Sequence, residues 1–137
     1  MIKSEEVILM NHELVGWAVC AFLILSCSYS LIKRCKSIRS KIKVPFKNLL
    51  DYHCFLSISA TILAFIHVGG NLWNIRLSTG YVSLLMMVLV TSIGIIMKYF
   101  KKIYVKHRMF WLCSHILLAI ILIGSLSLHI ISYLLLQ

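Results

Sequence analysis

Long apolar runs separated by short basic segments form the pattern of this chain. Four stretches contain no Asp, Glu, Lys or Arg: residues 14–32, 52–75, 77–97 and 109–137. Each is long enough to cross a hydrocarbon core of about 30 Å as an α-helix. The pattern therefore predicts an all-α membrane protein, an up-down bundle of four transmembrane helices. The predicted helices cover approximately residues 12–33, 45–69, 77–99 and 106–136 of a single domain spanning 1–137.

The composition excludes a soluble protein. Of the 137 residues, 61% are hydrophobic and 13% are charged, and the mean hydropathy is +0.94. Soluble domains contain about 45–50% apolar residues. The five Cys are odd in number and form no C-x-x-C pair, so neither a disulfide framework nor a zinc site is supported.

Basic residues are concentrated in two of the segments between the runs. Fourteen Lys and Arg oppose four acidic residues, and seven of the fourteen lie before the second run and five before the fourth. These twelve are Lys33, Arg34, Lys36, Arg39, Lys41, Lys43, Lys47, Lys98, Lys101, Lys102, Lys106 and Arg108. The positive-inside rule places both segments in the cytoplasm and both termini outside. We favour this role, with contacts to membrane lipid, over nucleic-acid binding, and expect a multi-pass protein of a prokaryotic cytoplasmic membrane.

Four of the six His lie inside the apolar runs, where an ionisable group is a functional candidate. His53 and His67 are 14 residues apart on the second helix, and His115 and His129 are 14 apart on the fourth. Fourteen residues of α-helix rise about 21 Å and fall about 40° short of four full turns, so each pair shares one face. Because the two helices run in the same direction, we expect His53 to face His115 near the inner surface and His67 to face His129 near the outer surface.

This repeated spacing is typical of haem ligation. Chance would give roughly 0.2 His pairs at one fixed spacing in this composition, and the chain has two at matching depths. Two imidazoles facing each other can occupy both axial positions of a haem iron. The sequence therefore predicts two haem b groups, one near each surface. The alternative is that the four His form hydrogen bonds with neighbouring helices.

Small residues recur at the same interval on the other two helices. Gly80 and Gly94 are 14 residues apart on the third helix, and Gly16 and Ser30 are 14 apart on the first. Antiparallel order puts Gly16 and Gly80 at the outer level, and Ser30 and Gly94 at the inner level. We interpret them as clearance for the porphyrin edges, with close helix packing as the alternative.

A histidine pair at this spacing on alternate helices, with small residues on the flanking helices, resembles the di-haem core of membrane b-type cytochromes. Examples are the cytochrome b of quinol–cytochrome c oxidoreductases and the ferric reductase-like transmembrane domain. The resemblance covers approximately residues 14–133 and depends on the four His. It implies axial ligation by those His and clearance at the three Gly, whereas Ser30 departs from the glycine of the quinol oxidoreductase type.

Other polar residues are weaker candidates. Arg76 is either a partner for an outer haem propionate or a flanking topology residue. His12 suits an interfacial helix cap, with a quinone or third-haem role as the alternative, and His107 lies in a basic segment exposed to solvent.

The expected function is transmembrane electron transfer. The chain contains no Ser-His-Asp arrangement, P-loop or nucleotide fingerprint. We expect an electron-transfer subunit that takes electrons from the quinone pool or a cytoplasmic donor. Its partners would be other redox subunits or an outer-side cytochrome. The alternatives are a haem-free anchor, assembly or transport subunit, and a direct ferric reductase.

Overall fold

The computed structural model describes residues 2–34, 46–69 and 78–135, and within these ranges the chain is helical with no strand. The helices are α1 (Ile2–Arg34), α2 (Phe46–Val68), α3 (Thr79–Tyr99), α4 (Lys101–Lys106) and α5 (Arg108–Leu135). The predicted all-α class is confirmed. Assembly of the helices into one four-helix bundle stays a prediction.

Three helices are long and apolar enough to cross a membrane. They are Asn48–Val68, Thr79–Tyr99 and Arg108–Leu135, and the described apolar part of α1, Glu13–Ser28, is shorter. Large apolar side chains on these helices point outward, among them Ile62 and Leu117. Such an exposed apolar surface fits lipid as the surrounding solvent. The helices are thus compatible with a multi-pass membrane protein, and the fourth span stays a prediction.

The chain forms two compact units, Met1–Gly69 and Gly70–Gln137. In the first, α1 packs along α2, and we call this pair the N-terminal hairpin. In the second, α3 packs along α5 with α4 between them in sequence, and we call this the C-terminal hairpin. Few side chains are buried among the residues whose burial the structure describes. They are Val19, Ser26, Ala60, Thr61 and Ala64 in the first unit, and Ser83, Leu84, Met87 and Leu122 in the second.

The helices differ from the prediction most clearly in the start of α1 and in the presence of α4. The start of α1 lies at Ile2, not near residue 12, because an apolar run measures the membrane-crossing part of a helix and not its full length. Residues 2–11 contain no Gly or Pro that would end the helix. The short helix α4 was not predicted. Its ends, Phe100 and His107, depart from helical backbone geometry, but no Gly or Pro in the sequence marks these breaks.

Candidate functional site

The four His of the apolar runs form two pairs, one on each of two continuous helices. His53 and His67 lie on α2, and His115 and His129 lie on α5. Neither helix is interrupted between its two His, so the 14-residue interval does place each pair on one face. All four side chains are half-buried.

Two of the His face a glycine of the neighbouring helix at very short range. A Cβ added at Gly16 of α1 would lie 3.1 Å from Cε1 of His67, and one added at Gly80 of α3 would lie 3.1 Å from Cε1 of His129. Such distances are shorter than nine in ten contacts that real Cβ atoms make. Each ring would therefore have to move by a few tenths of an ångström if residue 16 or residue 80 carried a side chain.

His115 faces Gly94 in the same way, at a slightly longer distance. A Cβ at Gly94 would lie 3.5 Å from Cε1 of His115, which is ordinary van der Waals contact. The three glycines selected by their spacing therefore lie next to the predicted ligands of their own hairpin. The spacing matched each glycine to the level of the His that it adjoins, but it did not foresee that the imidazole ring itself lies where a Cβ would meet it.

His53 contacts serine instead of glycine. Its Nδ1 lies 2.9 Å from the backbone oxygen of Ser26 and 2.9 Å from the Ser26 hydroxyl. The Ser26 hydroxyl lies 2.7 Å from that of Ser57, and Ser57 donates to the backbone oxygen of His53 at 2.8 Å. Ser26 is buried at 3% exposure, so this polar cluster joins α1 to α2 inside the N-terminal hairpin.

The C-terminal hairpin carries a related set of polar contacts. Nδ1 of His129 lies 3.3 Å from the Thr79 hydroxyl, beside the contact with Gly80. Near the middle of the hairpin, the Ser83 hydroxyl donates to that of Ser125 at 3.1 Å. Each hairpin thus contains one pair of serines that bridges its two helices.

Sequence reasoning missed three of these residues: Ser26, Ser57 and Thr79. The search for a 14-residue interval led to Ser30, whose side chain lies outside the described residues, as do Arg76 and the side chain of His12. A usable signal was present, because Ser57 follows His53 by four residues and therefore lies on the same face of α2.

A haem fits the chemistry of the described residues. No group of three or more His, Cys, Asp or Glu that could hold a metal ion occurs among them. A haem needs only two protein ligands, since the porphyrin supplies the others. Three of the four imidazoles have a glycine of the neighbouring helix beside them, where any other residue would place a Cβ. In addition, Nε1 of Trp111, one turn before His115, is buried with no hydrogen-bond partner in the described part of the chain.

Comparisons with protein-family models, with curated proteins and with solved structures find no match for this chain. The functional interpretation therefore depends on the geometry of the two hairpins.

Proposed function

We propose that this chain is a di-haem b-type cytochrome of the membrane, a four-helix electron-transfer subunit. It passes electrons between quinol or a cytoplasmic donor and an acceptor on the outer side. One observation carries the proposal. In both hairpins a helix bears two His 14 residues apart, and the partner helix places a small residue against each His: Gly16 and Ser26 in one hairpin, and Gly80 and Gly94 in the other.

In this proposal each haem would take one His from each hairpin. His53 and His115 would hold the inner haem, and His67 and His129 would hold the outer haem. When bound, the haems supply the one-electron redox chemistry. The protein holds the ligands at two depths about 21 Å apart along the helices. Gly16, Gly80 and Gly94 are proposed to give clearance for the porphyrin edges, and Arg76 is proposed to pair with an outer propionate.

The hydrogen bonds of the His are compatible with ligation. A haem-free bundle would also hydrogen-bond its His, and the contact between His53 and Ser26 taken alone would suit that alternative. However, the hydrogen bonds described above for the rings of His53 and His129 involve Nδ1. A histidine ligand that coordinates through Nε2 uses Nδ1 for exactly this kind of supporting contact.

Haem quantitation in the purified protein tests the proposal. We expect two b-type haems per chain, released by acid solvent, because the sequence has no C-x-x-C-H for covalent attachment. His107→Ala is the matched control, since His107 is exposed in the segment between α4 and α5. A dithionite-reduced spectrum without b-type bands, in protein expressed with sufficient haem, would overturn the proposal. Reduction of ferric chelates by the isolated chain would instead favour the direct reductase.

A further inference from the structure

Ser26 presents two oxygen atoms to one ring nitrogen of His53. The backbone oxygen and the hydroxyl oxygen of Ser26 each lie 2.9 Å from Nδ1. A backbone oxygen can only accept a hydrogen bond. Nδ1 must therefore carry the proton in this contact, and the lone pair of the neutral ring lies on Nε2.

The remaining protons of the cluster are consistent with this assignment. The Ser57 hydroxyl donates to the backbone oxygen of His53 at 2.8 Å. It can then accept from the Ser26 hydroxyl, 2.7 Å away. With its own proton directed to Ser57, the Ser26 hydroxyl oxygen can accept from Nδ1 of His53. Every proton of the three side chains thus has an acceptor.

Hydrogen bonding at Nδ1 changes the electronic character of a histidine ligand. An acceptor on Nδ1–H fixes the tautomer and orientation of the ring and increases the electron density that Nε2 donates to a metal. Greater donation stabilises ferric over ferrous iron and lowers the reduction potential of the haem. The hydroxyl contribution is separable by mutation, because substitution of Ser26 leaves the backbone oxygen in place.

We propose that Ser26 is a positioning residue for His53. Its two oxygens hold the Nδ1–H tautomer, direct Nε2 toward the metal, and lower the reduction potential of the inner haem. The effect on the reduction potential rests on the proposed function, because it requires a bound haem. A lower inner potential increases the driving force for electron transfer from the inner to the outer haem.

The first test is redox titration of the full-length protein. Ser26→Ala should raise the midpoint potential of the inner haem, which is identified as the haem that the His53→Ala variant lacks. The midpoint potential of the other haem should not change. Ser57→Ala should give a smaller shift in the same direction, because the Ser26 hydroxyl then loses the nearer of its two acceptors and keeps only the backbone oxygen of His53, 3.3 Å away. Ser26→Thr, which keeps a hydroxyl, should restore a potential close to that of the wild type.

Ser125→Ala is the matched control, since it removes a serine that also bridges two helices, without a hydrogen bond to a His in the described contacts. It should leave both potentials unchanged. Unchanged potentials in Ser26→Ala, or equal shifts of both haems, would overturn the proposed role of the hydroxyl.

The second test does not require haem. ¹⁵N NMR of haem-free protein labelled at histidine distinguishes protonated from unprotonated ring nitrogens. We expect His53 to be protonated at Nδ1, and a ring protonated only at Nε2 would overturn the tautomer assignment. If the wild type binds no haem, the proposed function and the effect on potential fail, whereas this measurement still decides the contact between Ser26 and His53.

Discussion

The imidazole of His67 points its Cε1 atom at Gly16 of the neighbouring helix. A Cβ at Gly16 would lie 3.1 Å from Cε1 and 3.6 Å from each ring nitrogen, so the ring meets the glycine by its edge. His129 and Gly80 repeat this arrangement in the C-terminal hairpin. The same construction therefore occurs at corresponding positions of two helix pairs with different sequences.

Leucine substitutions at three glycines test whether this space matters. Gly80→Leu should reduce occupancy of the outer haem and Gly94→Leu occupancy of the inner haem, because added side-chain atoms would press on His129 and His115. Overpacking of this kind costs about 1–3 kcal/mol. Gly124→Leu is the control, since nothing lies within 4 Å of a Cβ built there. Haem quantitation measures occupancy, and full occupancy in all three variants would show that Gly80 and Gly94 serve helix packing alone.

Histidine substitutions test how the ligands are paired. His53→Ala and His115→Ala should each remove the same haem, and His67→Ala and His129→Ala the other one, because the proposed pairing gives each haem one ligand from each hairpin. Low-temperature reduced spectra resolve the component that is lost. If both changes on α2 removed the same haem, the proposed pairing would be wrong.

The apolar pattern predicted the membrane helices closely but not the helices outside them. For α3 and α5 the predicted starts, near residues 77 and 106, lie two residues before the observed starts at Thr79 and Arg108. By contrast, α1 extends back to Ile2, and Glu5, Glu6 and Glu13 lie within the helix although they lie outside the apolar run. Charged residues limit which part of a helix can lie in lipid, whereas helix formation itself tolerates them well.

The candidate site was predictable where it depends on helical periodicity. Spacing of 14 residues put Gly16 at the level of His67 and Gly94 at the level of His115, and each of these pairs does lie close together within its hairpin. Porphyrin clearance by these glycines stays a prediction. The contact between Ser26 and His53 was not predictable in this way. It depends on the local packing of α1 against α2, and spacing selected Ser30, one turn further along α1.

Labelling of single cysteines tests the orientation. In a variant whose five native Cys are replaced, Ser78→Cys should react with a membrane-impermeant thiol reagent in right-side-out vesicles. Lys102→Cys should react only after permeabilisation, because basic segments remain in the cytoplasm. Both positions are exposed in the structure. The reverse labelling pattern would contradict the orientation with both termini outside.

A double-mutant cycle tests the serine bridge of the C-terminal hairpin. Ser83→Ala and Ser125→Ala remove the two ends of one hydrogen bond between α3 and α5. Such bonds between membrane helices contribute about 0.6 kcal/mol on average. We therefore expect a coupling energy of about this size from reversible unfolding in detergent. As a control, Ser83→Ala combined with Ser127→Ala should show no coupling, since the Ser127 hydroxyl is exposed and donates to the backbone oxygen of Ile123. A coupling energy near zero for Ser83 and Ser125 would contradict the observed bridge.

The close contacts between His and Gly within each hairpin also have a genetic consequence. Residues in direct contact are energetically coupled, whereas distant sites act independently. Second-site revertants of a Gly80 substitution should therefore map to α5 near His129, and those of a Gly16 substitution to α2 near His67.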